Sequence, residues 1–253
     1  MTSMWNAPLR TRWRGSRRRD TEQARFLTRA SLDWVLANKA YTPWYLVRYY
    51  RLAKFKLANP HVILKGMVFL GKNVEIHSTP ELSRLEIGRW VHIGDGNAIR
   101  CHEGSLRIGD KVVFGKDNVV NTYLDIEIGA STLVADWCYI CDFDHRMDDV
   151  NMPIKDQGIV KGPVRIGPDT WIAAKVTILR ETRIGRGCVL GAHAVVKGEI
   201  PDYSIAVGAP AKVVRNRKVA WEAGAAERAK YIAALEDIAR KKALGQAEAV
   251  REN

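Results

Sequence analysis

No apolar run in this sequence approaches the ~20 residues that a membrane-spanning helix needs. The opening "MTSMWNAPLRTRWRGSRRRD" carries charge but no apolar h-region, so it does not read as a signal peptide. Cysteine is scarce, with four in 253 residues. The one C-x-x-C pair, Cys138 and Cys141, has no matching second pair and no histidines at zinc spacing, which argues against a metal site. Together with Cys101 and Cys188, these read as buried thiols of a reducing cytoplasm. Negative charge is also short. The 28 Asp+Glu leave a net +12 against 40 Lys+Arg. Such an excess suits nucleic acid, anionic lipid or a phosphorylated ligand. No nucleic-acid recognition motif accompanies it, so nucleic acid is not expected as a partner.

The positive charge falls in two clusters. Residues 9–29 hold eight arginines, and residues 212–218 read "KVVRNRK". Residues 1–20 have the composition of a disordered basic arm. Residues 21–60 read as a helical extension of two helices, with Thr21 able to cap the first and Pro43 able to start the second. Leu27, Leu32, Val35 and Leu36 give the first an apolar face. At the other end, 218–253 reads as a C-terminal helix rich in Ala, Glu, Lys and Leu.

The middle, 61–217, repeats every six residues. Aliphatic residues or Phe stand at Ile87, Ile93, Ile99; at Ile108, Phe114, Val120; at Ile128, Val134, Ile140; and at Ile166, Ile172, Ile178, Ile184, Leu190, Val196. Two positions before each lies a second set of mostly small or β-branched residues, from Leu85 through Asn97, Asn118 and Cys138 to Ala194. Pairs spaced by two are short strands with one face turned inward. Three such strands make a coil of 18 residues, and a stack of coils makes a three-sided solenoid. Gly88, Gly109, Gly129, Gly167 and Gly185 fall at one corner, where glycine eases the turn. Another corner has none; it holds Arg100, Asn121, Cys141, Leu179 and Lys197. The repeat breaks once. From Ile140 to Ile166 the interval is 26 residues, and residues 141–163 leave the solenoid as an excursion containing His145.

The stretch "VRIGPDTWIAAKVTILRETRIGRGCVLGAHAVVKGEIPDYSIAVGAPAKVVRNR", 164–217, resembles the hexapeptide-repeat O-acetyltransferases, the group of maltose, galactoside and nodulation-factor acetyltransferases. The resemblance extends over about 62–217 and is looser before 105. It implies a mainly β protein: a left-handed parallel β-helix of hexapeptide repeats, here with N-terminal helices and a C-terminal helix. It also implies a homotrimer with active sites between neighbouring subunits, and acetyl-CoA as co-substrate with no tightly bound cofactor.

Carried onto this chain, the resemblance makes His145 the catalytic base. A sugar hydroxyl must lose its proton as it attacks a thioester, and an imidazole titrating near 6.5 is suited to take it. Asp142, Asp144, Asp148 and Asp149 surround His145 in sequence, and any of them, or a backbone carbonyl, is a candidate to orient the ring. Asn121 resembles the family's acceptor-binding asparagine; it also suits a turn. Asn97 and Asn118 read as structural, bonded inside the solenoid. Ala174 stands where the family commonly has serine, and its N–H is the candidate oxyanion donor. For the donor arm, Trp171 matches a family tryptophan, although a face-packing aromatic is an equal reading. Gly191 and Ala192 leave room for a narrow pantetheine. Lys197, Lys212 and Arg215 match basic positions for coenzyme A phosphates, with Lys197 displaced by one residue from the family's usual lysine.

The expected activity is acetyl-CoA-dependent O-acetylation of a saccharide, polysaccharide or glycolipid. Transfer of a longer acyl group, or a non-catalytic β-helix scaffold docked on a membrane surface, are the alternatives. The histidines lack the spacing of the carbonic-anhydrase-like relatives' zinc ligands. The Trp/Tyr-rich helix "TPWYLVRYYRLAKFK" suits either an end cap of the solenoid or an anionic lipid surface. Localisation is read as cytoplasmic, with the inner face of the membrane as a site of peripheral contact.

Overall fold

The computed structural model describes residues 22–230, apart from 25, 27, 226 and 228. The proposed basic arm, Thr21, Leu27 and the chain beyond 230 lie outside the described residues. The fold is a three-sided parallel β-solenoid. Its faces are a seven-stranded sheet, an eight-stranded sheet and a six-stranded sheet, here called faces one, two and three. The chain visits them in that order, so each coil has a first corner (face one to two), a second (two to three) and a third (three back to one).

The six-residue period is the coil. Ile108, Ile128, Ile166 and Ile184 pair in register on face one. Phe114, Val134, Ile172 and Leu190 do so on face two, and Val120, Ile140, Ile178 and Val196 on face three. All of these are buried, and so are Asn97, Asn118, Cys138 and Ala194 of the second inward set. The apolar ones form one core along the axis. The long interval leaves no mark on the ladders: Ile128 pairs with Ile166 as it does with Ile108.

Polar groups inside follow the same stacking. Asn97 Nδ2 donates to the carbonyls of Gly94 and Gly115, and its Oδ1 accepts from Asn118 N–H at 3.2 Å. Asn118 Oδ1 in turn accepts from Cys138 N–H at 2.8 Å. Buried amides paired in this way fix the axial register of the coils.

The glycine column has a different cause from the expected turn geometry. A Cβ on Gly109 would lie 2.6 Å from Ala130 N, and one on Gly129 would lie 2.4 Å from Pro168 N. Close approach of the next coil demands glycine there. The left-handed backbone falls two residues later, on Trp90, Lys111, Ser131 and Asp169.

Helix α1 (Arg29–Ala37) is capped by Thr28, whose hydroxyl accepts from Ser31 N–H. Helix α2 (Pro43–Ala58) begins on Pro43, as its missing N–H allows. Both lie against face two of the first coils. Trp34 packs on Trp90 with centroids 4.3 Å apart, and Leu52 of α2 joins the core. The apolar residues of α1 divide differently from expectation: Leu32 and Leu36 point to solvent, and Trp34 faces the solenoid. At the far end, strand Lys212–Asn216 closes face two antiparallel to Ser204–Val207. Helix α3 (Arg217–Ala223) follows; the rest of the expected C-terminal helix lies largely outside the described residues.

Candidate active site

The excursion begins at the third corner. Cys141 is the Cα partner of Asn121, one coil below. Asp142 is fully buried, and its carboxylate accepts three backbone N–H groups, from Tyr123 at 2.8 Å, Leu124 at 2.8 Å and Asp125 at 2.7 Å. Burial pushes the carboxyl up, and the three donors oppose that shift. Its carbonyl accepts from Gly162 N–H at 2.8 Å, which ties the exit of the excursion to its entry. Asp142 thus clamps the root of the loop. Asp142→Ala should leave three donors without their acceptor and cost about 2–4 kcal/mol. A fall in Tm of roughly 5–12 °C by calorimetry would follow, with Asp142→Asn intermediate. A Tm within about 2 °C of the parent would refute the clamp.

From this root a hairpin rises, with Phe143–His145 antiparallel to Ile159–Lys161. It is held to the solenoid on three sides. Arg180, one coil above, donates to Asp144 at 2.6 Å. Lys161 pairs with Glu103, and Phe143 packs edge-on against Tyr123 at 4.6 Å. His145 closes the strand, exposed, with its ring 6.2 Å from Phe143.

The candidate orienting carboxylates all have other partners. Asp142 holds backbone amides, Asp144 holds Arg180, Asp148 lies 4.0 Å from Arg146, and Asp149 accepts from Asn151 N–H at 2.9 Å.

Asn121 lies within strand Val119–Thr122, not in a turn. Its Nδ2 donates to the Tyr139 hydroxyl at 3.4 Å, and its Oδ1 is buried with no partner among the described residues. Sequence reading missed Tyr139 and Arg180. Tyr139 stands two residues before Cys141, at an outward position that the six-residue period marks only as outward.

Three of the candidate residues share the third corner: Asn121, the root of His145 and Lys197. The others lie elsewhere. Trp171 is half-exposed on face two, in an outward column with Val113, Leu133 and Val189. That column continues to Ile205 and its partner Arg215. Ala174, Gly191 and Ala192 occupy the second corner. The Ala174 carbonyl accepts from His193 N–H at 3.0 Å, while the N–H groups of its neighbours Ala173 and Lys175 donate to Leu190 and Asp136. A Cβ on Gly191 would meet Val207 at 2.7 Å, and Val207 is the partner of Lys212. One chain therefore carries two separate groups of candidate residues, on two different edges of the prism. It does not bring His145 to Ala174 or Trp171.

All four thiols are free and buried. Burial pushes each of them up, Cys101 to about 11. A neutral buried thiol is a poor nucleophile.

A three-sided parallel solenoid with a six-residue period is the architecture of the class of hexapeptide-repeat transferases. The model of the "Bacterial transferase hexapeptide (six repeats)" family matches residues 163–198. The chain is 77% identical over 243 residues to "Probable acetyltransferase Rv3034c" of Mycobacterium tuberculosis, covering 96% of this chain and 81% of that protein. It is 36% identical over 122 residues to "Putative lipopolysaccharide biosynthesis O-acetyl transferase WbbJ" of Escherichia coli, covering 43% of this chain and 62% of that one. Among solved structures it resembles a point variant of AntD, an N-acyltransferase from Bacillus cereus solved with dTDP and coenzyme A. There the identity is 20% and the TM-score 0.52, over 70% of this chain and 95% of that one. The chain belongs to the hexapeptide-repeat acetyltransferase family.

Proposed function

We propose that this protein transfers an acetyl group from acetyl-CoA to a hydroxyl of a saccharide, polysaccharide or glycolipid, with His145 as general base. The observation that carries the reading is the anchored hairpin. A solenoid face points its side chains straight in or straight out, whereas the 141–163 excursion lifts the His145 ring clear of it. In the reaction, the acceptor oxygen attacks the thioester carbonyl carbon while His145 takes the hydroxyl proton. The C–O bond forms, and the tetrahedral oxyanion is met by the Ala174 N–H. The C–S bond then breaks, and the thiolate leaves with the proton returned by the imidazolium. Coenzyme A is a co-substrate that leaves after each turnover. Asn121, with an unpaired buried Oδ1, suits an acceptor hydroxyl near the root of the hairpin. The four free thiols fit a cytoplasmic place of work.

Trp171, Ala174, Gly191, Ala192, Lys212 and Arg215 form the donor side, along face two and the second corner. The long, narrow pantetheine suits that edge, and its phosphates suit the exposed cations of the closing strand. Lys197, on the third corner, belongs to the same phosphate reading only across a subunit boundary. Lys212→Ala combined with Arg215→Ala should weaken coenzyme A about tenfold or more by calorimetry, and dephospho-coenzyme A much less. Equal losses for the two ligands would remove the 3′-phosphate assignment. The acceptor class is tested by comparing glycans extracted from cells with and without the protein. Loss of acetyl esters supports the reading, and unchanged acetylation of every glycan and glycolipid fraction would overturn it.

A further inference from the structure

Helix α2 packs with one face and leaves the opposite one apolar. Leu52 is buried in the core, and Tyr45, Tyr49 and Phe55 turn the same way, partly covered. At 100° per residue, Leu46, Tyr50, Ala53 and Leu57 lie on the far side. Leu46 is 54% exposed, Tyr50 68% and Leu57 84%. In an ordinary surface helix these positions are polar. Helix α1 repeats the pattern, with Leu32 and Leu36 more than half exposed one turn apart. Both helices therefore present apolar side chains that the solenoid does not cover.

The charge of the two helices is lopsided. Residues 29–58 hold six cations against the single acidic Asp33; Arg29, Lys39 and Lys54 are exposed, while Arg51 and Lys56 turn to the solenoid and donate to the Leu70 and Val62 carbonyls. Lys54 is exposed among the outward apolar positions. Arg48 lies over the Trp44 ring, 3.5 Å from its centroid, at the start of the helix. A second copy meeting this face with the same face, as across a twofold axis, would bring like charges together. A bilayer with anionic headgroups satisfies both features, since it takes apolar side chains below the headgroups and cations beside them. Among the described residues no helix is long and apolar enough to cross a membrane, so the contact is one of surface.

We propose that the outer faces of α1 and α2 dock this protein on an anionic lipid surface, with Leu46, Tyr50 and Leu57 inserted and Lys54 at the headgroups. The helices thus both cover the first coils and bind lipid, with opposite faces. This proposal goes beyond the acetyl-transfer reading and does not depend on it.

The test is co-sedimentation of the full chain with vesicles of phosphatidylcholine alone, or of phosphatidylcholine with phosphatidylglycerol. Binding should favour the anionic vesicles and weaken as salt shortens the screening length from ~10 Å at 0.1 M to ~3 Å at 1 M. The combined variant Leu46→Gln, Tyr50→Ser, Leu57→Gln should lower partitioning by at least about tenfold, with Tm and solution mass unchanged. Lys54→Ala should lower it about fivefold on anionic vesicles only. Three results would overturn the proposal. Equal binding to both vesicle types, or none, would mean that another part of the chain covers the face or that it stays in water. Undiminished binding by the triple variant would place the contact on the N-terminal arginines. A drop in solution mass for that variant would assign the face to a second copy of the chain.

Discussion

His145→Ala should leave assembly and coenzyme A affinity nearly unchanged and lower acetyl transfer by roughly 10²–10⁴. The two halves of that expectation have separate physical grounds. His145 is exposed at the end of a two-strand hairpin, and no core packing depends on it. The clamp that holds the hairpin uses other groups: Asp142 on three amides, Arg180 on Asp144, Lys161 on Glu103. Removing the ring leaves those contacts in place. On the general-base reading the acceptor hydroxyl then has no base at hand, and water is a far weaker proton acceptor. Steady-state rates with the true acceptor, together with a donor-binding isotherm, decide the matter. If turnover survives the substitution, the hairpin is a binding lid and the base lies elsewhere.

The solenoid was legible because its rule is short. A period of six, two inward positions in each six, and glycine at one corner suffice to order the strands, and the structure pairs Ile128 with Ile166 across the 26-residue break as that rule requires. Less legible was the meaning of individual positions. Glycine at the first corner suggests turn geometry, but Gly109 is required because a Cβ there would lie 2.6 Å from Ala130 N, and Lys111 takes the left-handed backbone. In α1, Leu32 and Leu36 share a face, yet periodicity says which residues share a face and not which face meets protein. The anchors of the hairpin were not legible either. Arg180 and Asp144 are 36 residues apart, and Lys161 and Glu103 are 58. All are outward or loop positions, and a period marks outward residues without saying which charges meet across coils. The four acidic residues near His145 showed the converse. Sequence proximity made them candidates to orient the ring, and the fold gives each a different partner.

Two inactive variants, His145→Ala and Ala174→Tyr, should regain activity when their subunits are mixed. His145 rises from the third corner, while Ala174, Trp171 and Gly191 lie on face two and the second corner, so a single prism keeps the proposed base apart from the proposed donor residues. A second prism set beside the first can bring them together. Face two also offers a reason to associate, since Val113, Leu133 and Trp171 form an outward column, each more than a third exposed. A threefold trimer satisfies both conditions with one repeated contact. In that arrangement Ala174→Tyr fills the donor side of its own chain and leaves its His145 intact; His145→Ala does the reverse. Random trimers from an equal mixture pair an intact His145 with an intact Ala174 at about one interface in four, so about a quarter of the parental rate should return. Light scattering on the same samples should give three times the chain mass. If the mass is that of a trimer and no activity returns, base and donor site act within one chain, and the excursion must fold back across its own prism to meet them.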